Sequence, residues 1–227
     1  MKKILIAVVV LLVVLVVGKN IIAQAIVVNG IKAITGLNVG LAGINVSALN
    51  TSIRLNNLKI FNPQGFQDRT LVHLPEIYVD YRLRNLTHLS ELRIHIKELM
   101  VVKNAQNQVN IQSLKTLLPK GEGKPPEIKI DLLDLKIDKV IYKDYAQAEP
   151  SVREFEVNYH EKFRNIDSPQ SLVSLILVKA FLKTNVPSLA NLDINALKQD
   201  ISSAIKQEAD SLIQQLKENI GGVLNNN

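Results

Sequence analysis

The stretch Ile53-Arg-Leu-Asn-Asn-Leu-Lys-Ile-Phe-Asn-Pro-Gln-Gly-Phe66 predicts the kind of fold that this chain adopts. Its apolar side chains recur about every second residue, at Ile53, Leu55, Leu58 and Ile60. A period near two places such side chains on one face of a β-strand. The turn-forming run at residues 62–65 then ends the strand, as a change of direction in a sheet requires.

The same alternation recurs on both sides of this stretch. Residues 37–48 alternate before it, although Gly43 shifts the phase in the way that a β-bulge would. Residues 72–83 and 92–101 alternate after it, and Pro75 marks an edge or a bulge. We therefore expect half-buried strands that share one apolar layer and are connected as an antiparallel meander.

A Pro/Gly-rich linker, Pro-Lys-Gly-Glu-Gly-Lys-Pro-Pro at residues 119–126, interrupts the strand pattern. Alternation resumes beyond the linker, from Ile128 to Tyr159. We interpret residues 36–118 as a β domain and residues 127–166 as a second β block of the same sheet, because both blocks contain the same kind of strand.

The N-terminus carries a strongly apolar segment. Lys2 and Lys3 precede the uninterrupted apolar run Ile4–Val17, which as a helix is about 21 Å long and shorter than the ~30 Å hydrocarbon core. The helical pattern continues to Val28, and over that length the segment can cross a bilayer. We predict a transmembrane helix and its extension over residues 1–35, anchored by Ile4, Leu5, Val9, Leu12, Leu15 and Val17.

A cleaved signal peptide is the alternative interpretation of the same segment. Two lysines, an apolar region and Ala23-Gln24-Ala25 match the order of charge, hydrophobic run and small-residue cleavage site. In both cases the positive N-terminus stays inside and the rest of the chain crosses the membrane. The helical pattern that runs on to Thr35-Gly36, where Gly36 suits a C-cap, favours an uncleaved anchor.

Residues 167–222 have a helical pattern. Within residues 167–185, which are mostly apolar, Ser168-Pro169 is an N-cap followed by proline at the first helical position. Residues 188–221 are amphipathic and precede a polar tail at residues 223–227. The amphipathic stripe covers the sheet or binds a partner through Leu197, Ile201, Ile205, Leu212 and Leu216. The predicted fold class is therefore α+β: a transmembrane helix, then a curved antiparallel sheet with a groove, covered by C-terminal helices.

Composition and motifs give no support for catalysis or nucleic-acid binding. The net charge of +6 comes entirely from the residues before Asp68, which include cations but no acidic residues. The positive charge therefore does not indicate a basic surface for binding nucleic acid. The chain has no cysteine, and its four histidines lack metal-ligand spacing. Asp131, Asp134 and Asp138 alternate with lysines, as the residues of an exposed charged face do. We predict a non-enzymatic protein without a metal or a cofactor.

The order of features in the first half of the chain resembles the N-terminal region of AsmA-like envelope proteins. An apolar helix is followed by a strand pair, and the second strand runs into an Asn-Pro-x-Gly-Phe turn. The residues that match this pattern are Thr35, Gly36, Ile60, Asn62, Pro63, Gly65 and Phe66. Residues 71–83 and 92–99 continue the likeness, whereas a later Gly-x-x-Asn turn is matched only at Asn110. The resemblance covers residues 1–118, and residues 127–160 more loosely.

The resemblance implies a single pass in the inner membrane, with the N-terminus in the cytoplasm and the C-terminal domain in the periplasm. It also implies a β-groove related to chorein-type lipid-transfer proteins, with a lipid-binding or lipid-transport role in outer-membrane biogenesis. The implied partners are inner-membrane lipids, a phospholipid ligand and another envelope protein. From the charge distribution we expect no nucleic-acid partner. Long members of the family extend the groove between two membranes, and this chain has too few strands for that.

Two functions therefore remain open. An apolar sheet face that the helices leave partly uncovered would suit acyl chains. Its candidate residues are Ile53, Leu55, Leu58, Ile60, Ile77, Val79, Tyr81, Ile94 and Ile96. A fully covered sheet would instead indicate a structural or interaction protein that binds a partner through its C-terminal amphipathic helix.

Overall fold

The computed structural model describes residues 24–25, 27–29, 37–47, 50–111, 129–147, 149–166, 169–181 and 184. Strands in these ranges form one six-stranded sheet in chain order: β1 Val39–Ser47, β2 Ser52–Phe61, β3 Thr70–Arg82, β4 Asn85–Lys103, β5 Lys129–Asp144 and β6 Ser151–Ile166. A helix, α1, spans Pro169–Phe181 and packs on β5 and β6. The alternating segments on both sides of residues 119–126 thus lie in one continuous sheet.

Neighbouring strands of the sheet are antiparallel except for β4 and β5, which are parallel. The predicted fold class, an antiparallel meander covered by C-terminal helices, was therefore wrong, because the sheet is mixed. Alternation of apolar and polar residues identifies a strand but not its direction. The chain between Lys103 and Lys129 is long enough for the crossover of about a dozen residues or more that a parallel pair needs.

Directly paired residues form three rows that run across all the strands. Row 1 consists of Val46, Ile53, Val79, Leu92, Leu133 and Phe163. Row 2 consists of Ile44, Leu55, Ile77, Ile94, Leu135 and Glu161. Row 3 consists of Val39, Ile60, Val72, Leu99, Val140 and Phe155. Because cross-strand partners share one face of a sheet, the rows define an apolar face in which Glu161 is the exception.

Between rows 2 and 3, the alternation of the paired strands changes phase. The pairing of β1 with β2 keeps the same register on both sides of Gly43, so neither strand contains the extra residue of the predicted bulge. Positive backbone angles accompany the change: φ is 52° at Asn57 in β2 and 45° at Asn158 in β6. Asparagine adopts this left-handed conformation more readily than most residues do, which explains its use at these positions.

The core lies between the apolar face and the helix that covers part of it. Leu133, Leu135 and Ile137 of β5 are fully buried. Helix α1 buries one run of side chains in the same core, namely Leu175, Leu177, Val178, Ala180 and Phe181. After the helix, both the amide and the hydroxyl of Thr184 donate hydrogen bonds to the carbonyl oxygen of Phe181. These bonds satisfy a carbonyl that the helix end would otherwise leave unpaired.

The predicted membrane span is contradicted by residues that it would have to include. The side-chain amide of Gln24 donates a 2.6 Å hydrogen bond to the carbonyl oxygen of Leu41, and Val27 and Val28 pack against the core. The run Ile4–Val17 is too short without them. No helix in the described part of the chain is long and apolar enough to cross a membrane. The predictions of an N-terminal transmembrane helix and of a single-pass inner-membrane location were therefore wrong.

Several predicted features lie outside the described residues. These are the anchor residues Ile4, Leu5, Val9, Leu12, Leu15 and Val17, the pair Thr35-Gly36, the linker at residues 119–126, and the stripe residues Leu197, Ile201, Ile205, Leu212 and Leu216. The interaction function that depends on that stripe stays a prediction.

Candidate functional site

The structure brings the nine predicted groove residues together on the apolar face. The rows themselves contain Ile53, Leu55, Ile60, Ile77, Val79 and Ile94. The other three residues, Leu58, Tyr81 and Ile96, pair with Leu74, Leu89 and Ile137 respectively. Neighbouring strands lie about 4.8 Å apart, so paired side chains of this size touch and form a continuous apolar surface.

Burial along row 1 decreases from β5 toward β1. Leu133 of β5 is fully buried and Leu92 of β4 is 7% exposed, whereas Val79 of β3 is only partly buried. The partly buried apolar residues at this end of the sheet, here called the open corner, are Val46, Ile53, Val79, Tyr81 and Leu89. The open corner is thus one incompletely covered part of the apolar face; Val39 and Ile60 of row 3 are partly buried as well.

An ion pair interrupts the apolar face at the end of row 2. Glu161 pairs with Leu135 in a position where rows 1 and 3 end in phenylalanine. Lys179 of α1 is 3% exposed, and its Nζ lies 3.1 Å from Oε2 of Glu161. The hydroxyl of Tyr159 donates a hydrogen bond to the same carboxylate. Nζ also lies 5.1 Å from the ring centroids of Tyr159 and Phe163, an arrangement that stabilises a desolvated cation.

Sequence analysis missed Glu161 and Lys179, although both leave a signal in the sequence. Glu161 stands among the alternating aromatic residues of β6, two residues from Tyr159 and two from Phe163. Lys179 interrupts the apolar run of α1. A charged residue at a core position needs a partner because burying an unpaired charge costs several kcal/mol, roughly. Two opposite charges at core positions of neighbouring elements therefore predict such a pair.

The opposite face of the sheet carries histidine–aspartate pairs around β5. Nε2 atoms lie 2.8 Å from carboxylate oxygens in three pairs: His88 with Asp131, His95 with Asp138, and His160 with Asp134. The hydrogen bond with His88 lowers the pKa of Asp131. Burial raises the pKa of Asp138, but hydrogen bonds with His95 and Lys136 outweigh burial and lower that pKa below its ordinary value.

These pairs do not assemble into a metal centre. Among the described residues, no group of three or more histidine, aspartate or glutamate side chains is placed to hold a metal ion. Additional cations compensate the aspartates instead, since Arg82 lies 2.7 Å from Asp131 and Lys162 lies 3.6 Å from Asp134. The polar face is therefore an array of paired charges, and we place the candidate binding site on the apolar face.

The asparagine cluster, the name used here for Asn62, Asn104 and Asn110, lies at the end of the sheet opposite the open corner. Nδ2 of the buried Asn110 donates hydrogen bonds to Oδ1 of Asn62 and to the carbonyl oxygen of Met100, both at 2.8 Å. Oδ1 of Asn110 accepts a 2.9 Å hydrogen bond from the amide of Val102. Such buried networks fix the backbone because each group would cost free energy if it were left unpaired.

The turn that contains Asn62, Pro63, Gly65 and Phe66, residues predicted to form a structural turn, is tied to this end of the sheet. Nδ2 of Asn104 donates a 3.2 Å hydrogen bond to the carbonyl oxygen of Gly65. The carboxylate of Asp68 accepts hydrogen bonds from Nζ of Lys143 at 2.5 Å and from the hydroxyl of Tyr145 at 2.8 Å. The motif therefore has a structural role, away from the open corner.

Comparison with known proteins adds no assignment: the chain matches no protein-family model and no curated protein.

Proposed function

We propose that this chain is an AsmA-like lipid-binding module that holds the acyl part of a phospholipid against its apolar face. The observation that carries the proposal is the uneven burial of row 1. Helix α1 packs over the β5 and β6 end of the face, while Ile53 and Val79 in β2 and β3 remain partly exposed. An apolar surface that is continuous but incompletely covered is what an extended apolar ligand requires.

The shape of the face also suits a long, flexible ligand. The 19 residues of β4 extend over about 63 Å at the usual rise per residue. The three apolar rows cross β4 between Leu92 and Leu99, about 23 Å of this length, and no row carries a polar side chain in β1 to β5. Recognition along such a surface depends on apolar contact rather than on directional hydrogen bonds, which matches the chemistry of an acyl chain.

The asparagine cluster supports the AsmA-like part of the proposal. The likeness includes the Asn-Pro-x-Gly-Phe turn and a later Asn110, and the side chains of Asn62 and Asn110 are hydrogen-bonded to each other. Two separate parts of the motif thus meet in one structural unit. This contact gives the pattern a physical reason, since the bond satisfies Oδ1 of Asn62 and one amide hydrogen of the buried Asn110.

The experiment that tests the proposal is native mass spectrometry of the full chain purified in mild detergent. We expect phospholipid masses on the wild type and their loss in Val79→Asp, because a charge at the open corner opposes apolar contact. Val152→Asp is the matched control, since Val152 is 56% exposed in β6 and distant from the open corner along the strands. Lipid retained equally by both variants would contradict the proposal.

A second variant distinguishes a specific loss of lipid binding from misfolding of Val79→Asp. Val79→Phe keeps the position apolar but fills space at the open corner, and far-UV circular dichroism and thermal unfolding establish that it is folded. We expect folded Val79→Phe to carry less lipid than the wild type. A wild type that carries no lipid after mild extraction, and takes up none from vesicles, would also contradict the proposal.

A further inference from the structure

The hairpin between β3 and β4 ends in an exposed leucine that local structure does not explain. Arg82 pairs with Asn85, so Leu83 and Arg84 are the two residues of the turn. Leu83 is 68% exposed. Two-residue hairpin turns favour Gly, Asn and Asp, often with positive φ, yet neither Leu83 nor Arg84 has a positive φ. Neither the residue preferences of two-residue turns nor burial in the core therefore explains a leucine at position 83.

The charges around Leu83 are positive. Arg82 and Arg84 flank it in the sequence, and both are exposed. Arg82 is held by Asp131 at 2.7 Å, whereas Arg84 makes no ion pair with any of the residues that the structure describes. An exposed apolar side chain beside unpaired positive charge is complementary to a bilayer surface, where acyl chains lie beneath anionic headgroups.

The turn that contains Leu83 lies next to the open corner of the apolar face. The open corner lies at the same end of the sheet, because Tyr81 is the residue before Arg82 and pairs with Leu89. A membrane that contacts Leu83 would therefore face the partly exposed end of the apolar surface. The asparagine cluster lies at the other end of the sheet, so a lipid that leaves a membrane in contact with Leu83 meets the open corner first.

We propose that the tip formed by residues 82–85 is a membrane-contact site. Leu83 enters the interfacial region of a bilayer that contains anionic lipids, and Arg84 binds the phosphate groups of those lipids. The contact is peripheral and needs no membrane-spanning helix. It goes beyond the proposed lipid binding, because it assigns the surface that meets the membrane and the end of the sheet at which lipid exchanges.

The absence of cysteine from the chain makes the test specific to this tip. Leu83→Cys and Val152→Cys each introduce one thiol, which an environment-sensitive nitrobenzoxadiazole label can occupy in the full chain. Val152 is the matched control because it is an exposed apolar residue, at 56%, beside the opposite end of the sheet. Labelled proteins are mixed with phosphatidylcholine vesicles, with or without phosphatidylglycerol, and spin-labelled acyl chains serve as quenchers.

We expect the label at position 83 to shift to the blue, and to be quenched by acyl-chain spin labels, on the anionic vesicles. We expect no change at position 152. Adding Arg84→Gln to the labelled Leu83→Cys protein should weaken its apparent vesicle affinity about fivefold, the effect of one cation near an anionic surface. Raising the salt concentration from about 0.05 M to about 0.5 M should weaken the signal similarly, because exposed charges are screened.

Three results would overturn the inference: no change at position 83, an equal change at position 152, or an equal change at position 83 on neutral vesicles. Attachment of the chain to vesicles through any other segment does not change this reading, since the label reports on its own surroundings. Native mass spectrometry of the same preparations tests lipid binding separately. Bound lipid with a silent label at position 83 overturns the membrane-contact site alone.

Discussion

Asn110 and Asn62 are 48 residues apart in the sequence, and Nδ2 of the first donates a 2.8 Å hydrogen bond to Oδ1 of the second. This bond joins the loop that follows β4 to the turn that follows β2. Asn110 is fully buried, so its amide cannot exchange this partner for water. The contact ties two loops together at one end of the sheet, and the open corner lies at the other end.

Replacing Asn110 by alanine should destabilise the fold strongly. The change removes the bonds to Asn62, Met100 and Val102 and leaves buried groups unpaired, which costs about 1–3 kcal/mol for each unsatisfied group. Urea unfolding measured by circular dichroism checks this expectation. Gln106→Ala is the control, because Gln106 is exposed and contributes its backbone amide to Asn104. An Asn110→Ala protein as stable as Gln106→Ala would contradict the role assigned to the cluster.

Two glycines in the same half of the chain should respond differently to alanine. Gly65 has φ of 98° with no atom within 4 Å of an added Cβ, so Gly65→Ala tests backbone strain alone. We expect a loss of about 1–3 kcal/mol from that strain. Gly43 has no positive φ, and its added Cβ would lie 3.9 Å from Nδ2 of Asn56, so Gly43→Ala should be close to neutral. Equal melting temperatures for the two variants would contradict the turn geometry.

The strands were predictable from the sequence because alternation survives in each of them. A period of two also fixes which side chains lie together within each half of a strand. It does not predict the change of phase near Asn57 that keeps Leu58 and Ile60 on the same face as Ile53 and Leu55. The direction of β5 was not predictable from that signal. Parallel pairing with β4 depends on where the chain re-enters the sheet after Lys103, and no local pattern specifies that return.

The limits of the N-terminal prediction have a physical origin. Residues that could extend a membrane helix are equally suited to a protein core, since both environments accept apolar side chains. Val27 and Val28 pack against the sheet, and Gln24 finds a hydrogen-bond acceptor in Leu41. Hydropathy along the chain therefore could not distinguish the two environments. The asparagine cluster was partly predictable, because the turn motif and Asn110 were recognised, but their contact was not.

Removing one charge of the Glu161–Lys179 pair should destabilise the fold more than removing both charges. Glu161→Gln leaves the cation of Lys179 in a site that is 3% exposed, and we expect a loss of about 1–2 kcal/mol after allowance for the exposure of Glu161. The double variant Glu161→Gln with Lys179→Met should regain much of that loss, because methionine fills the site without charge. Thermal unfolding of the two variants measures this difference, and a double variant no more stable than Glu161→Gln would contradict the prediction.

Acid should weaken the fold through the aspartates of β5. The pKa values of Asp131 and Asp138 in the folded protein lie below the ordinary value of 3.8. The stability that these carboxylates add is thus complete above that value and is lost as the pH falls through their folded pKa values. We expect the urea midpoint to drop below about pH 4, and to drop less in Asp131→Asn/Asp138→Asn. Parallel curves for the wild type and the double variant would disprove this linkage.

The most direct measurement of the central claim is site-specific crosslinking of lipid along β3. Benzoylphenylalanine is placed in turn at Ile77, Tyr78, Val79 and Asp80, and the purified protein is irradiated in the presence of radiolabelled phospholipid. Ile77 and Val79 lie in rows 2 and 1 of the apolar face, while the alternating residues face the other side of the sheet. Binding on the apolar face predicts crosslinks at Ile77 and Val79 and none at Tyr78 and Asp80. Crosslinks at all four positions, or at none, would contradict it.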